Sequence, residues 1–189
     1  MSGQGHHSSI QLFSESEGIH TDKYYTDLAL MEDTGFDYVK LRVEMTSGKG
    51  AVYVVYSEPN FGRNGSGIGK SYVVYTDRSG EMIRPGFSIR SFQAFNVTEP
   101  CICLFEHSNY RGNKYSTNRS LSDIGDIFPP DQVDGMSCAI ALSGLWRVCT
   151  KPAFSGAKQD VDALNERREI PIFTDLNDKI RATQLVRAS

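Results

Sequence analysis

Short runs of β-branched and aromatic residues, bounded by Gly, Pro, Asn, Asp and Ser, recur along the whole chain. Helical three-and-four spacing is nearly absent, so the runs read as strands. The pattern predicts strands over 9–14, 38–45, 52–56, 72–76, 89–95, 101–106, 136–142, 146–150 and 180–186. Only short turns of helix are expected, near 121–124 and 161–165. The chain is therefore expected to be all-β.

One pattern repeats at a regular interval. In Phe105-Glu106-His107-Ser108-Asn109-Tyr110-Arg111-Gly112 an aromatic is followed by four residues, a second aromatic, one residue and a glycine. Tyr56 to Phe61 repeats it upstream, Cys149 to Gly156 repeats it downstream, and a faint first copy begins at Phe13. The leading positions Phe13, Tyr56, Phe105 and Cys149 lie 43, 49 and 44 residues apart, which marks four copies of one supersecondary unit. Each copy opens on a strand, turns at the aromatics, continues into a second strand and closes with another strand 26 to 33 residues after its leading position. The closing pieces are Phe36 to Leu41, Phe87 to Ser91, Asp131 to Met136 and Asn177 to Ala182.

A long return connection of this kind is what a Greek key requires. Two such motifs packed face to face give a β-sandwich domain. The expected organisation is a disordered start at 1–8, a first domain at 9–95, a linker at 96–100 around Pro100, and a second domain at 101–189. A β-trefoil would need three repeats and a propeller four blades of four strands, and neither explains the aromatic hairpin.

These residues resemble the βγ-crystallin superfamily, in which each Greek key carries an aromatic hairpin closed by a glycine. Phe105, Tyr110 and Gly112 match the hairpin fully. Trp146, Phe154 and Gly156 match it apart from the leading aromatic, which is Cys149. Tyr56 and Phe61 match the second copy, with Gly62 one place early and Arg63 at the glycine position. The likeness is to divergent invertebrate or non-lens members. The pattern has a physical basis: the folded hairpin brings its two rings together, and the glycine takes a backbone angle that a Cβ resists.

The resemblance also implies a place to look for calcium, because many relatives bind it through the closing strand. Their signature is two Asn or Asp residues, two variable residues, Ser or Thr, then Ser. The hydroxyl at the fifth place supplies one of the six to eight oxygens that calcium takes. Aligned in this way the fifth place holds Lys40, Arg90 and Arg181 in three copies, and a cation there opposes binding. The third copy places Asp134 there, and the fourth keeps Asn177 and Asp178. Calcium binding is thus expected to be weak at most and confined to the second domain, at Glu106, Asp134, Asn177 and Asp178.

Composition narrows the partners. Of 189 residues 39% are hydrophobic and 23% charged, with a net charge of -3, so the basic excess that nucleic acid binding needs is absent. The polar, glycine-rich start and the lack of a membrane-length apolar run lead to the expectation of a cytoplasmic protein. Four cysteines, Cys101, Cys103, Cys138 and Cys149, are too few for a disulfide framework and are expected to be free thiols.

Other motifs do not survive their context. Asn64 to Ser71 nearly spells a phosphate loop but leads into a strand, where such a loop needs a helix. Cys101-x-Cys103 with His107 lacks the second ligand pair of a structural zinc site. No catalytic constellation surrounds any Ser, Cys or His. The sequence is read as a non-enzymatic structural or stress-protective protein, a monomer or weak homodimer. The alternative is a weakly calcium-modulated module that binds carbohydrate, lipid or a protein partner.

Overall fold

The structure is a computed structural model. It describes residues 9–14, 29, 39–44, 51–62, 69–75, 82–96, 101–126, 135–165 and 169–188. The start at 1–8, the linker residues 97–100, Arg63 and Asp134 lie outside the described residues. By backbone contacts the chain divides into two compact units, Met1–Asn96 and Val97–Ser189.

The first unit contains β1 (Ser9–Ser14), β2 (Val39–Glu44), β3 (Ala51–Tyr56), β4 (Ser71–Tyr75), β5 (Met82–Ile83) and β6 (Ser91–Asn96). They form two antiparallel sheets, in the orders β1-β2-β5 and β4-β3-β6. The second unit contains β7 (Cys101–His107), β8 (Arg111–Thr117), β9 (Cys138–Ser143), β10 (Leu145–Lys151), β11 (Ser155–Asp162), β12 (Glu169–Ile170) and β13 (Ala182–Arg187). Its antiparallel sheets run β12-β9-β7-β8 and β11-β10-β13. Both units are all-β sandwiches, as the sequence pattern predicts.

The connections are Greek keys with an exchange. In the second unit the closing strands β9 and β13 return beside the leading strands β7 and β10. The third segment of each copy crosses to the other copy's sheet: β12 follows β11 in the chain yet pairs with β9, and Leu121 follows β8 yet bridges Thr183 of β13. In the first unit β5 follows β4 and pairs with β2.

Strand alternation fixes the cores. On β7, Ile102 and Leu104 point inward to Trp146, Val148, Val161, Phe173 and Ile180, while Cys101, Cys103 and Phe105 occupy the opposite face. Trp146 is fully buried and its indole N–H donates to the Ser143 carbonyl at 2.8 Å. The first unit centres on Ile10, Leu12, Tyr53, Val55, Val74, Ile89 and Phe92. Each such side chain contributes about 1.5–3 kcal/mol by leaving water.

Four described strands escape the sequence pattern: β5 and β12 are only two residues long, and β8 and β11 are polar. β8 reads RGNKYST, and β11 reads SGAKQDVD with only Val161 fully buried. The expected helical turn at 161–165 is accordingly corrected, since Val161 and Asp162 end β11 before the chain turns. A single 3-10 turn at Ile124–Asp126 stands close to the other expected position.

Gly135 and Gly112 are both held at positive φ, 127° and 79°, but for different neighbours. A Cβ on Gly135 would lie 2.3 Å from the backbone oxygen of Asp178, whereas one on Gly112 would meet the Glu106 and His107 side chains at 2.9 Å. Side chains can swing away and a backbone cannot. Gly112→Ala should cost about 1–3 kcal/mol, the left-handed backbone term plus the hydrogen bond from the Asn113 N–H that the displaced Glu106 side chain loosens. Gly135→Ala should cost roughly 2–5 kcal/mol because overpacking is added to that term. Chemical denaturation of the two variants checks the order; equal losses would refute the backbone contact.

Candidate functional site

Each described hairpin is built in the same way. The chain turns through two successive left-handed residues, Asn60 and Phe61, Asn109 and Tyr110, or Ala153 and Phe154, with φ between 52° and 59°. The first donates its N–H to a carbonyl in the third segment of the other copy: Asn60 to Ala29 at 2.6 Å, Asn109 to Pro171 at 2.8 Å and Ala153 to Ser122 at 2.8 Å. The rings then meet. Phe105 and Tyr110 lie 5.5 Å apart at 71°, an edge contact, and Tyr56 and Phe61 lie 6.1 Å apart at 60°, a tilted one, rather than parallel stacks. Cys149 offers Phe154 no ring, and Phe154 is half-buried.

The closing strand clasps the hairpin from beneath. Ser91 stands opposite Tyr56, accepts the Phe61 N–H at 3.0 Å and donates to the Glu58 carbonyl at 2.6 Å. Cys138 stands opposite Phe105 and does the same with sulfur, accepting the Tyr110 N–H at 3.2 Å and donating to the His107 carbonyl at 3.1 Å. Ala182 holds this place in the fourth copy and has no such group.

The residue after each leading position ties down the return strand. Glu106 Oε2 accepts the Asn113 N–H at 3.0 Å, Thr150 Oγ1 accepts that of Ala157 at 3.0 Å, and Ser57 Oγ accepts that of Lys70 at 2.8 Å. Gly112 and Gly156 immediately precede two of these donors, and Gly69 precedes the third. By its place before the donor, the glycine position of the second copy falls at Gly69, not Arg63, although Gly69 does not share the positive φ of Gly112 and Gly156. Strand register agrees, since Phe105 pairs with Lys114 and Cys149 with Lys158, nine places on, whereas Tyr56 pairs with Ser71, fifteen places on. Six extra residues lengthen this hairpin, and they carry most of the near phosphate loop, which runs into β4.

Register also relocates the closing signature. Lys40, Ser91, Cys138 and Ala182 stand opposite the four leading residues and so occupy its last place. The fifth place belongs to Val39, Arg90, Ser137 and Arg181, so Lys40 and Asp134 move from the positions the sequence spacing gave them. The hydrogen bonds of the last three confirm the equivalence: Arg90 N–H donates to Tyr56, Ser137 to Phe105 and Arg181 to Cys149, at 2.8–2.9 Å.

Ser137 is the residue that sequence reasoning missed. Its Oγ lies 2.5 Å from the Glu106 carbonyl and also contacts Asp178 Oδ1. Two acceptor oxygens thus face a hydroxyl that carries one proton. Beside them Asn177 Nδ2 donates to Asp178 Oδ2 at 2.6 Å, and Asn177 Oδ1 is buried without a hydrogen-bond partner. Of the expected residues, Glu106, Asn177 and Asp178 come together here. A signal was available: the fourth copy ends its signature 33 residues after Cys149, and the same offset from Phe105 lands on Cys138 with Ser137 before it.

The equivalent place in the fourth copy holds Arg181, whose guanidinium lies 3.5 Å from Asp123 Oδ1. There the chain supplies its own cation. Among the described residues no group of three His, Cys, Asp or Glu side chains could hold a metal ion, so a cation at Ser137 would rest partly on carbonyl and hydroxyl oxygens. All four cysteines are buried and free. Among the described residues no helix is long and apolar enough to cross a membrane.

Paired sandwiches, exchanged third segments and aromatic hairpins of this form define the βγ-crystallin fold, and the chain has it in divergent form. Geodin, a βγ-crystallin from Geodia cydonium, superposes with a TM-score of 0.66 at 17% identity, covering 94% of this chain and 98% of its own. A βγ-crystallin from Ciona intestinalis is 24% identical and covers 45% of this chain and 98% of its own, with a TM-score of 0.39. Protein S, solved complexed with calcium, is 13% identical over 94% of this chain and 99% of its own, with a TM-score of 0.36. No family model and no curated protein matches the chain.

The clasp gives a prediction. Burial pushes the Cys138 thiol well above the ordinary value of 9.0, and it does the same to Cys103. A raised folded-state value means that the contribution is complete below pH 9 and is lost as pH rises, because the unfolded thiols ionise first. Melting temperature should hold up to about pH 9 and fall beyond it. Cys138→Ser should soften that fall at little cost in stability, since Ser91 performs the same task. Cys138→Ala should lose about 1–3 kcal/mol by stranding the Tyr110 N–H. Equal stability of the Ser and Ala variants would contradict the clasp.

Proposed function

We propose that the chain is a non-enzymatic structural or stress-protective protein in which calcium acts as a weak modulator of the second unit. The structural reading rests on where the distinctive residues are spent. Among the described residues Tyr56, Phe61, Phe105 and Tyr110 close hairpins, Gly112 and Gly156 let them fold over, and the thiols lie inside. The modulating role is supported by one observation: Ser137 Oγ meets both the Glu106 carbonyl and the Asp178 carboxylate with a single proton to share. A divalent cation resolves that shortage by accepting all three oxygens at once. Calcium takes six to eight ligands, so water must supply several, and the site is weak.

Thermal unfolding in chelator and in calcium tests both parts. The protein should unfold cooperatively in millimolar chelator, as a scaffold independent of its ion does. With a Kd of about 1 mM, about 5 mM calcium should stabilise the second unit by about 1 kcal/mol. That corresponds to about 4–8 °C for a unit of this size. Ser137→Ala and Asp178→Asn should each erase the rise. A protein unfolded without calcium would contradict the structural reading, and a melting point indifferent to calcium would remove the modulation alone.

A further inference from the structure

β11 is the longest strand described, eight residues, and it forms one edge of the sheet β11-β10-β13. Ser155, Gly156, Ala157 and Lys158 are exposed, and among the described residues only β10 pairs with it. The direction of its main-chain groups follows from two hydrogen bonds. Ala157 N–H donates to Thr150 Oγ1 and Ala163 N–H to the Gly144 carbonyl, both at 3.0 Å and both on the β10 side. Successive residues of a strand present their N–H and C=O to alternate edges. Lys158, Asp160 and Asp162 therefore present theirs to the outer edge.

We propose that β11 pairs antiparallel with β11 of a second copy of this chain, centred on Gln159. This register sets Lys158 of each copy opposite Asp160 of the other, in outward-facing pairs that exchange both main-chain hydrogen bonds. The same pairing brings each ammonium against a carboxylate, twice across the two-fold axis. Asp160 is already held in position by Arg147, which bonds it through two nitrogens at 2.7 and 3.0 Å. Sliding the partner by two residues sets Asp160 against its own copy, which like charge disfavours. A lysine on an edge strand ordinarily discourages pairing; here the second copy carries its counter-ion. The two three-stranded sheets join into one of six strands, through a contact small enough to make a weak dimer.

Sedimentation equilibrium of the full chain at low salt, from about 10 μM to 1 mM as weak pairs require, should show a reversible monomer–dimer equilibrium. Lys158→Glu places Glu against Asp160 twice and should raise the dimer Kd at least about tenfold. Lys158→Pro removes an outward N–H while leaving the ladder to β10 intact, and should give monomer at every concentration. If the proline variant fails to fold, the glutamate variant decides. A wild-type chain that stays monomeric, or a dimer that Lys158→Glu leaves unchanged, overturns the proposal.

Discussion

In every described hairpin two successive non-glycine residues hold a left-handed backbone, a conformation that costs about 1–2 kcal/mol per residue. The rest of each unit is arranged to hold them there. The first left-handed residue passes its N–H to the other copy's third segment, and in two copies the aromatic that follows passes its own to the closing strand. Ring contact between the two aromatics closes the fold from above. One turn thus joins a leading strand, a closing strand and a segment of the neighbouring copy.

This arrangement makes two copies the smallest self-sufficient piece. Asn109 of the third copy depends on Pro171 of the fourth, while Ala153 of the fourth depends on Ser122 of the third. Neither copy can satisfy its own hairpin. The dependence also explains where the chemistry of the chain has gone. Glu106 and Cys138, which in isolation read as an acid and a nucleophile, accept or donate main-chain hydrogen bonds, and Cys138 is buried. Among the described residues, Glu106, Ser137 and Asp178 meet where three oxygens share one proton.

The strands with apolar inward faces, such as Cys101 to Glu106 and Trp146 to Thr150, were legible in the sequence because burial imposes their residue type. β8 and β11 were not, since an edge strand that faces water needs no apolar pattern. Spacing revealed the repeat but not its exact alignment. Gly69 was hidden by six inserted residues, and Ser137 by a closing strand whose last place is held by Cys138 instead of Ser. Cys138 performs the same task with a sulfur atom, whereas Gly69 keeps only the place before the donor, without the positive φ of Gly112 and Gly156. Only hydrogen-bond partners and strand register expose such equivalence.

Native-state hydrogen exchange tests the central constraint most directly. If the hairpin turns are clasped as described, the amides of Asn109 and Ala153 exchange as slowly as those of β7 and β10 and open with them, although both lie at exposed turns. Exchange of these two amides at the rate of an open loop, while β7 and β10 stay protected, would contradict the account.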